Sequence, residues 1–117
     1  MATPVDPDFR ARLAALNEKF AATVPLTIEK IRAALADCVA GGESPPEAAL
    51  HQLHELLHGW AGSAATFGFP TLGAEARRIE QMVRGVLTTH TGWSPVPAEV
   101  EKLLAWAGRD PKASQYT

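Results

Sequence analysis

Three scarcities narrow the reading of this 117-residue sequence first: it has one cysteine, one tyrosine and no long apolar run. A lone cysteine, Cys38, cannot form an internal disulfide, which fits a reducing, cytoplasmic setting. Inside a helical stretch it reads as a small buried hydrophobe. No segment approaches the ~20 apolar residues that span a bilayer, and the N-terminus shows no basic-then-apolar signal pattern. A cytoplasmic protein without a membrane role is therefore expected. The formal net charge of −2 gives no electrostatic basis for binding nucleic acid or an anionic surface. There is no glycine-rich phosphate loop, no Cys-x-x-Cys pair and no Gly-x-Ser-x-Gly elbow, so neither a bound cofactor nor autonomous kinase activity is expected. A hydrophobic content of 46% with 21% charged residues remains, which suits one soluble domain.

Helical periodicity fills the chain, and no stretch alternates with the period of a strand. Asp6-Pro7 reads as a cap followed by proline in the first turn, and Phe9, Leu13, Leu16 and Phe20 recur at helical spacing. A short first helix is expected to run from about 7 to 22, interrupted at Thr23-Val24-Pro25 by either a kink or a cap and restart. A second carries Ile28, Ile31, Leu35 and Val39 and stops at Gly41-Gly42. Ser44-Pro45-Pro46-Glu47 spells a capping box that would start a third helix near Pro45 and carry it to about Gly68. Pro70 opens a fourth with Leu72, Ala76, Ile79, Val83 and Val86 inward and Arg77, Arg78, Glu80 and Arg84 toward water. After His90-Thr91-Gly92-Trp93, a last helix starts at Ser94-Pro95 and closes at Gly108. The expectation is an all-α domain over 7–108, an antiparallel up-down four-helix bundle with an additional short N-terminal helix, and a mobile tail over 109–117.

The third helix is the informative one. Leu50, Leu53, Leu57, Trp60, Ala64 and Phe67 make one apolar seam, because a helix turns about 100° per residue. His58 lies roughly 130° from the centre of that seam and Gly62 roughly 170°, so an imidazole stands near the open face with no side chain one turn beyond it. Three readings follow. His51, His54 and His58, with Glu55 nearby, have spacings that could contribute to a zinc site, although one helix seldom closes such a site. The histidines could equally be solvated polar residues on an interaction or scaffold bundle. That leaves Gly59 and Gly62 unexplained, since each interior glycine costs about 0.5–1 kcal/mol relative to alanine. The third reading is nucleophilic phosphoryl transfer, which needs an exposed ring nitrogen, clear space and a stiff platform, the partner supplying metal and positive charge.

The run His58-Gly59-Trp60-Ala61-Gly62-Ser63-Ala64-Ala65-Thr66-Phe67-Gly68-Phe69, followed by Leu72 and Ala76-Arg77-Arg78-Ile79-Glu80, resembles the histidine-containing phosphotransfer (HPt) domains. Members of that family carry a hydrophobic residue two after the histidine, a basic residue three after, and glycines four and ten after. Gly62 and Gly68 stand at those offsets from His58, whereas His54 meets His58 and Ala64, and His51 meets Glu55 and Ala61. The resemblance thus implies His58 as phosphoacceptor. It also implies docking through His54, Glu55, Ala61, Gly62 and Ala65, receiver domains of response regulators and an upstream histidine kinase as partners, and a monomeric helical carrier. Ala61 stands where the family carries its basic residue.

Overall fold

The computed structural model describes residues 7–117. Four helices follow in order: α1 (Pro7–Val39), α2 (Glu47–Thr66), α3 (Pro70–Thr89) and α4 (Val96–Arg109), with no strand among the described residues. Each helix packs on its neighbours in a ring, α1 on α2, α2 on α3, α3 on α4 and α4 back on α1. Short connections make successive helices antiparallel. None of the described helices is long and apolar enough to cross a membrane.

The separate N-terminal helix expected from the sequence is absent: the first two segments are one helix of 33 residues that runs through Pro25. An interior proline costs about 3 kcal/mol by removing a hydrogen bond and crowding the preceding turn. Here the Pro25 ring is exposed, while Phe20, Val24, Ile28 and Ile31 are buried on both sides of it. Burial of side chains of this size is worth about 1.5–3 kcal/mol each, which outweighs the break. At about 1.5 Å per residue α1 overshoots the helices beside it, α2 of 20 residues and α4 of 14. Its first turns accordingly leave Phe9, Leu13 and Leu16 exposed rather than in the core. The Asp6 cap lies outside the described residues.

At the start of α2 the expected capping box does not form: the helix begins at Glu47, and no side chain caps it. Its end follows the sequence closely. Gly68 takes a left-handed φ of +88°, and the Phe69 N–H donates to the Ala64 carbonyl at 2.8 Å, the closure that glycine makes cheap. The seam predicted on α2 is buried from Leu50 through Ala64, with Phe67 half-buried. The α3 stripe is buried too, as are Val100, Leu103, Leu104 and Ala107 of α4 and Cys38 of α1. Helix α4 begins at Val96 and continues past Gly108 to Arg109. Arg78 ties α3 to α4, donating to Glu75 at 2.8 Å and Glu99 at 2.7 Å.

Of the mobile tail expected over 109–117, Arg109 closes α4 and the rest packs back on the bundle. The Trp106 Nε1–H donates to the Gln115 carbonyl at 2.8 Å, Thr71 donates to the Ser114 carbonyl at 3.1 Å, and the Tyr116 ring meets Trp106 edge-on. Anchoring by single aromatic and polar contacts has no periodicity, which is why the sequence pattern did not show it.

Candidate functional site

His58 sits midway along α2 with 63% of its side chain exposed. Its Nδ1 is 3.1 Å from Oε1 of Glu80 on α3. Glu80 is the correction that matters most: the sequence placed it in water, and it is 2% exposed, the one buried charged side chain among the described residues. The reason is helix approach. A Cβ on Gly73 would lie 3.1 Å from the Ala65 nitrogen and 3.2 Å from the Ala61 carbonyl oxygen, so glycine lets α3 approach α2 a few tenths of an ångström closer than a larger residue would. Gly73, Ala76, Glu80 and Val83 then form a second seam on α3, covered by α2. An acid at helical spacing among small residues, opposite a run of histidines, was the signal available in the sequence.

A carboxylate in this position needs partners, because a lone buried charge is costly. Glu80 has three. Besides His58, the Arg84 guanidinium donates to Oε1 at 2.9 Å, and His54 Nε2 lies 3.0 Å from the same oxygen. Burial alone would raise the Glu80 pKa. The hydrogen bond from His58 and the charges of Arg84, His54 and His58 outweigh it and hold the carboxyl below its usual range. Glu80 is therefore ionised at neutral pH. As an acceptor it fixes the proton of His58 on Nδ1 and leaves the lone pair on Nε2.

The other residues singled out in the sequence separate into distinct surroundings. Glu55, Gly62 and Ala65 are exposed, and a Cβ on Gly62 or Gly59 would meet nothing within 4 Å. Gly62 is thus an open position beside the imidazole, Gly68 a helix stop and Gly73 a packing glycine. Ala61, expected at the edge of a docking patch, is buried at 2% and faces α3, so it offers no surface to a partner. His54 is largely covered, with 19% of its side chain exposed, and its ring lies nearly parallel to that of His58 at 6.0 Å. On the α1 side, Gly59 borders a groove of about 550 Å³ lined by Leu16, Phe20, Leu56, Trp60 and Phe67.

The zinc reading does not survive this geometry. His51 turns away to Glu47, 3.7 Å from it. The run His54-Glu55-Leu56-Leu57-His58 does spell His-Glu-x-x-His, the helix pattern in which two imidazoles one turn apart hold zinc, and sequence reasoning passed over it. In the structure the two imidazoles converge on a carboxylate oxygen rather than around a space for an ion. Among the described residues no group of three His, Cys, Asp or Glu side chains is arranged to hold a metal.

A family model described as the Hpt domain matches residues 15–106, which include α2, α3 and nearly all of α4. Comparison with curated proteins and with solved structures finds no match. The family match spans well over half of the 117 residues, and with an all-helical bundle beneath it the chain belongs to the Hpt domain family, the histidine phosphotransfer carriers of two-component phosphorelays.

Proposed function

We propose that His58 is the phosphoacceptor and that it exchanges a phosphoryl group with the aspartate of response-regulator receiver domains. The observation that carries this reading is the pairing of an exposed imidazole with a buried carboxylate on its Nδ1. With the proton held on Nδ1, the Nε2 lone pair attacks phosphorus. The N–P bond forms as the bond from phosphorus to the receiver's aspartyl oxygen breaks, and the aspartate leaves with that electron pair. The ring keeps its Nδ1 proton and becomes cationic, and the ionised Glu80 faces the new charge at hydrogen-bond distance. Return of the group to a second receiver reverses these steps.

Catalysis of such a transfer rests on positioning and charge stabilisation, and the receiver brings its own metal and cation. That division of labour suits a bundle with an alanine at position 61. The exposed surface next to His58 supports docking through Glu55, Gly62 and Ala65, with the receiver extending over Gly59 toward the α1–α2 groove. Ala61 is excluded by its burial, and His54 serves the site from beneath. A monomer in the cytoplasm, fed by an upstream histidine kinase, is the form in which this surface is free to exchange partners.

The test is transfer of label from a phosphorylated receiver. The protein should gain acid-labile, base-stable phosphate, and His58→Ala should gain none. Equal labelling of His58→Ala, or no labelling of the wild-type chain by any receiver or kinase of its organism, refutes the reading.

A further inference from the structure

Oε1 of Glu80 is asked to accept more than it can. Arg84 Nη2 approaches it at 2.9 Å, His54 Nε2 at 3.0 Å and His58 Nδ1 at 3.1 Å. A carboxylate oxygen offers two lone-pair directions, so three donors cannot all bond it well. The loser is His54: its Nε2 is buried and close, yet off the line of a hydrogen bond, and among the described residues it has no acceptor. Charged or titratable side chains face Glu80 from α2 (His54 and His58) and from its own helix (Arg84), and among the described residues α1 and α4 contribute none. Arg84 is a permanent cation. The contest that pH can change is between the two imidazoles.

Imidazole changes charge between about pH 5 and 8. A protonated donor makes a shorter hydrogen bond to a carboxylate, roughly twice as strong as a neutral one. His54 needs only a small reorientation of its ring to make that bond, since the distance is already 3.0 Å. We propose that His54 is a positioning residue that competes with His58 for Glu80, so that protonation of His54 releases the His58 ring and suppresses phosphoryl transfer. Released from Glu80, His58 no longer has its proton fixed on Nδ1, and the cationic phosphorylated ring would share its counter-ion with a second cation whose ring centre is 6.0 Å away. The inference rests on the phosphotransfer reading, and it predicts an acid limb governed by two protons, one on the nucleophile and one on His54.

The experiment compares transfer rates of wild type and His54→Gln from one phosphorylated receiver between pH 5 and 8, with the receiver's own metal ion held at saturation. The glutamine is neutral throughout this range, so whatever share of Glu80 it takes from His58 does not change with pH. Taking the ratio of the two rates cancels the titration of the receiver and leaves the pH dependence that His54 adds, its effect on His58 included. That ratio, variant over wild type, should rise as pH falls, by up to about tenfold per pH unit. A flat ratio overturns the inference and leaves the phosphotransfer reading standing.

A second measurement needs neither phosphate nor a variant: ¹⁵N-edited NMR of the imidazoles in the unphosphorylated wild-type chain. The His58 ring should leave the Nδ1–H tautomer as His54 gains its proton. A His58 signal indifferent to that step overturns the inference even if His54→Gln fails to fold. Coupled titration without transfer at any pH would instead uphold the competition and sink the phosphotransfer reading.

Discussion

Gly62 and Gly73 are both interior helix glycines in the same helix pair, and the structure predicts opposite signs for the same substitution. At Gly62 a new Cβ meets nothing within 4 Å. Gly62→Ala should therefore collect the helix-propensity gain alone, about 0.5–1 kcal/mol of added stability. For a domain of this size that raises the Tm by roughly 4 °C. At Gly73 the same Cβ would lie 3.1 and 3.2 Å from backbone atoms of α2, which cannot rotate aside as a side chain would. The helices must part by a few tenths of an ångström against the core between them, an overpacking cost of about 1–3 kcal/mol that exceeds the propensity gain. Gly73→Ala should end about 1 kcal/mol below wild type, leaving a gap of about 2 kcal/mol between the two variants. Urea unfolding monitored by circular dichroism measures both, with the slope m unchanged if only stability has moved. The parting of α2 and α3 should also lengthen the 3.1 Å contact between His58 and Glu80 and slow labelling. Gly62→Leu, by contrast, should keep or raise the Tm and slow transfer by tenfold or more, by standing where a partner must approach. A Gly73→Ala protein as stable as Gly62→Ala would refute the account of how α3 reaches α2. A Gly62→Leu protein that is destabilised would refute the open-face assignment.

Glu80→Gln removes the charge that orients His58 and should slow phosphoryl transfer by at least about tenfold at pH 8, measured with one receiver at saturation. The same variant checks a linkage: the folded Glu80 carboxyl titrates below its usual range, so the stability it contributes is present above the ordinary carboxylate pKa of about 4.3 and is lost as pH falls through the folded value. Acid unfolding curves should show that loss in wild type and not in Glu80→Gln. Cys38 is fully buried and its pKa is pushed up to about 11, first by burial and then by the charge of Asp37. It should be inert to thiol reagents at pH 7.5 in the folded protein and react fully in denaturant, and fast reaction in the native state would contradict its place in the core.

His58 and Gly62 on α2 and Gly68 at its stop are offsets along one stretch of chain, and a sequence carries such offsets whole. So it is with the stripes from Leu50 to Ala64 and from Leu72 to Val86, because a period of 3.6 is a property of the chain alone. The breaks were less legible. Pro25 reads as an interruption locally, and only burial of Phe20, Val24, Ile28 and Ile31 against other helices overrides it. The missing capping box at Ser44 and the packed segment around Tyr116 likewise depend on neighbours that no local pattern names.

The site divides along the same line. Sequence alone singled out His58 for the proposal, through the glycine offsets of the family it resembles, and showed that its helix is amphipathic, since both are matters of residue type and spacing along one stretch of chain. Tertiary structure alone decided what lies under that histidine. Whether Glu80 faces water or α2 turns on how closely two helices approach, which Gly73 permits. Whether His54 is a surface residue or a rival for the same oxygen turns on where that carboxylate then sits, 22 residues further along the chain from His58. Distance in space between elements is the quantity that no periodicity encodes, and here it supplies the carboxylate that lies against His58.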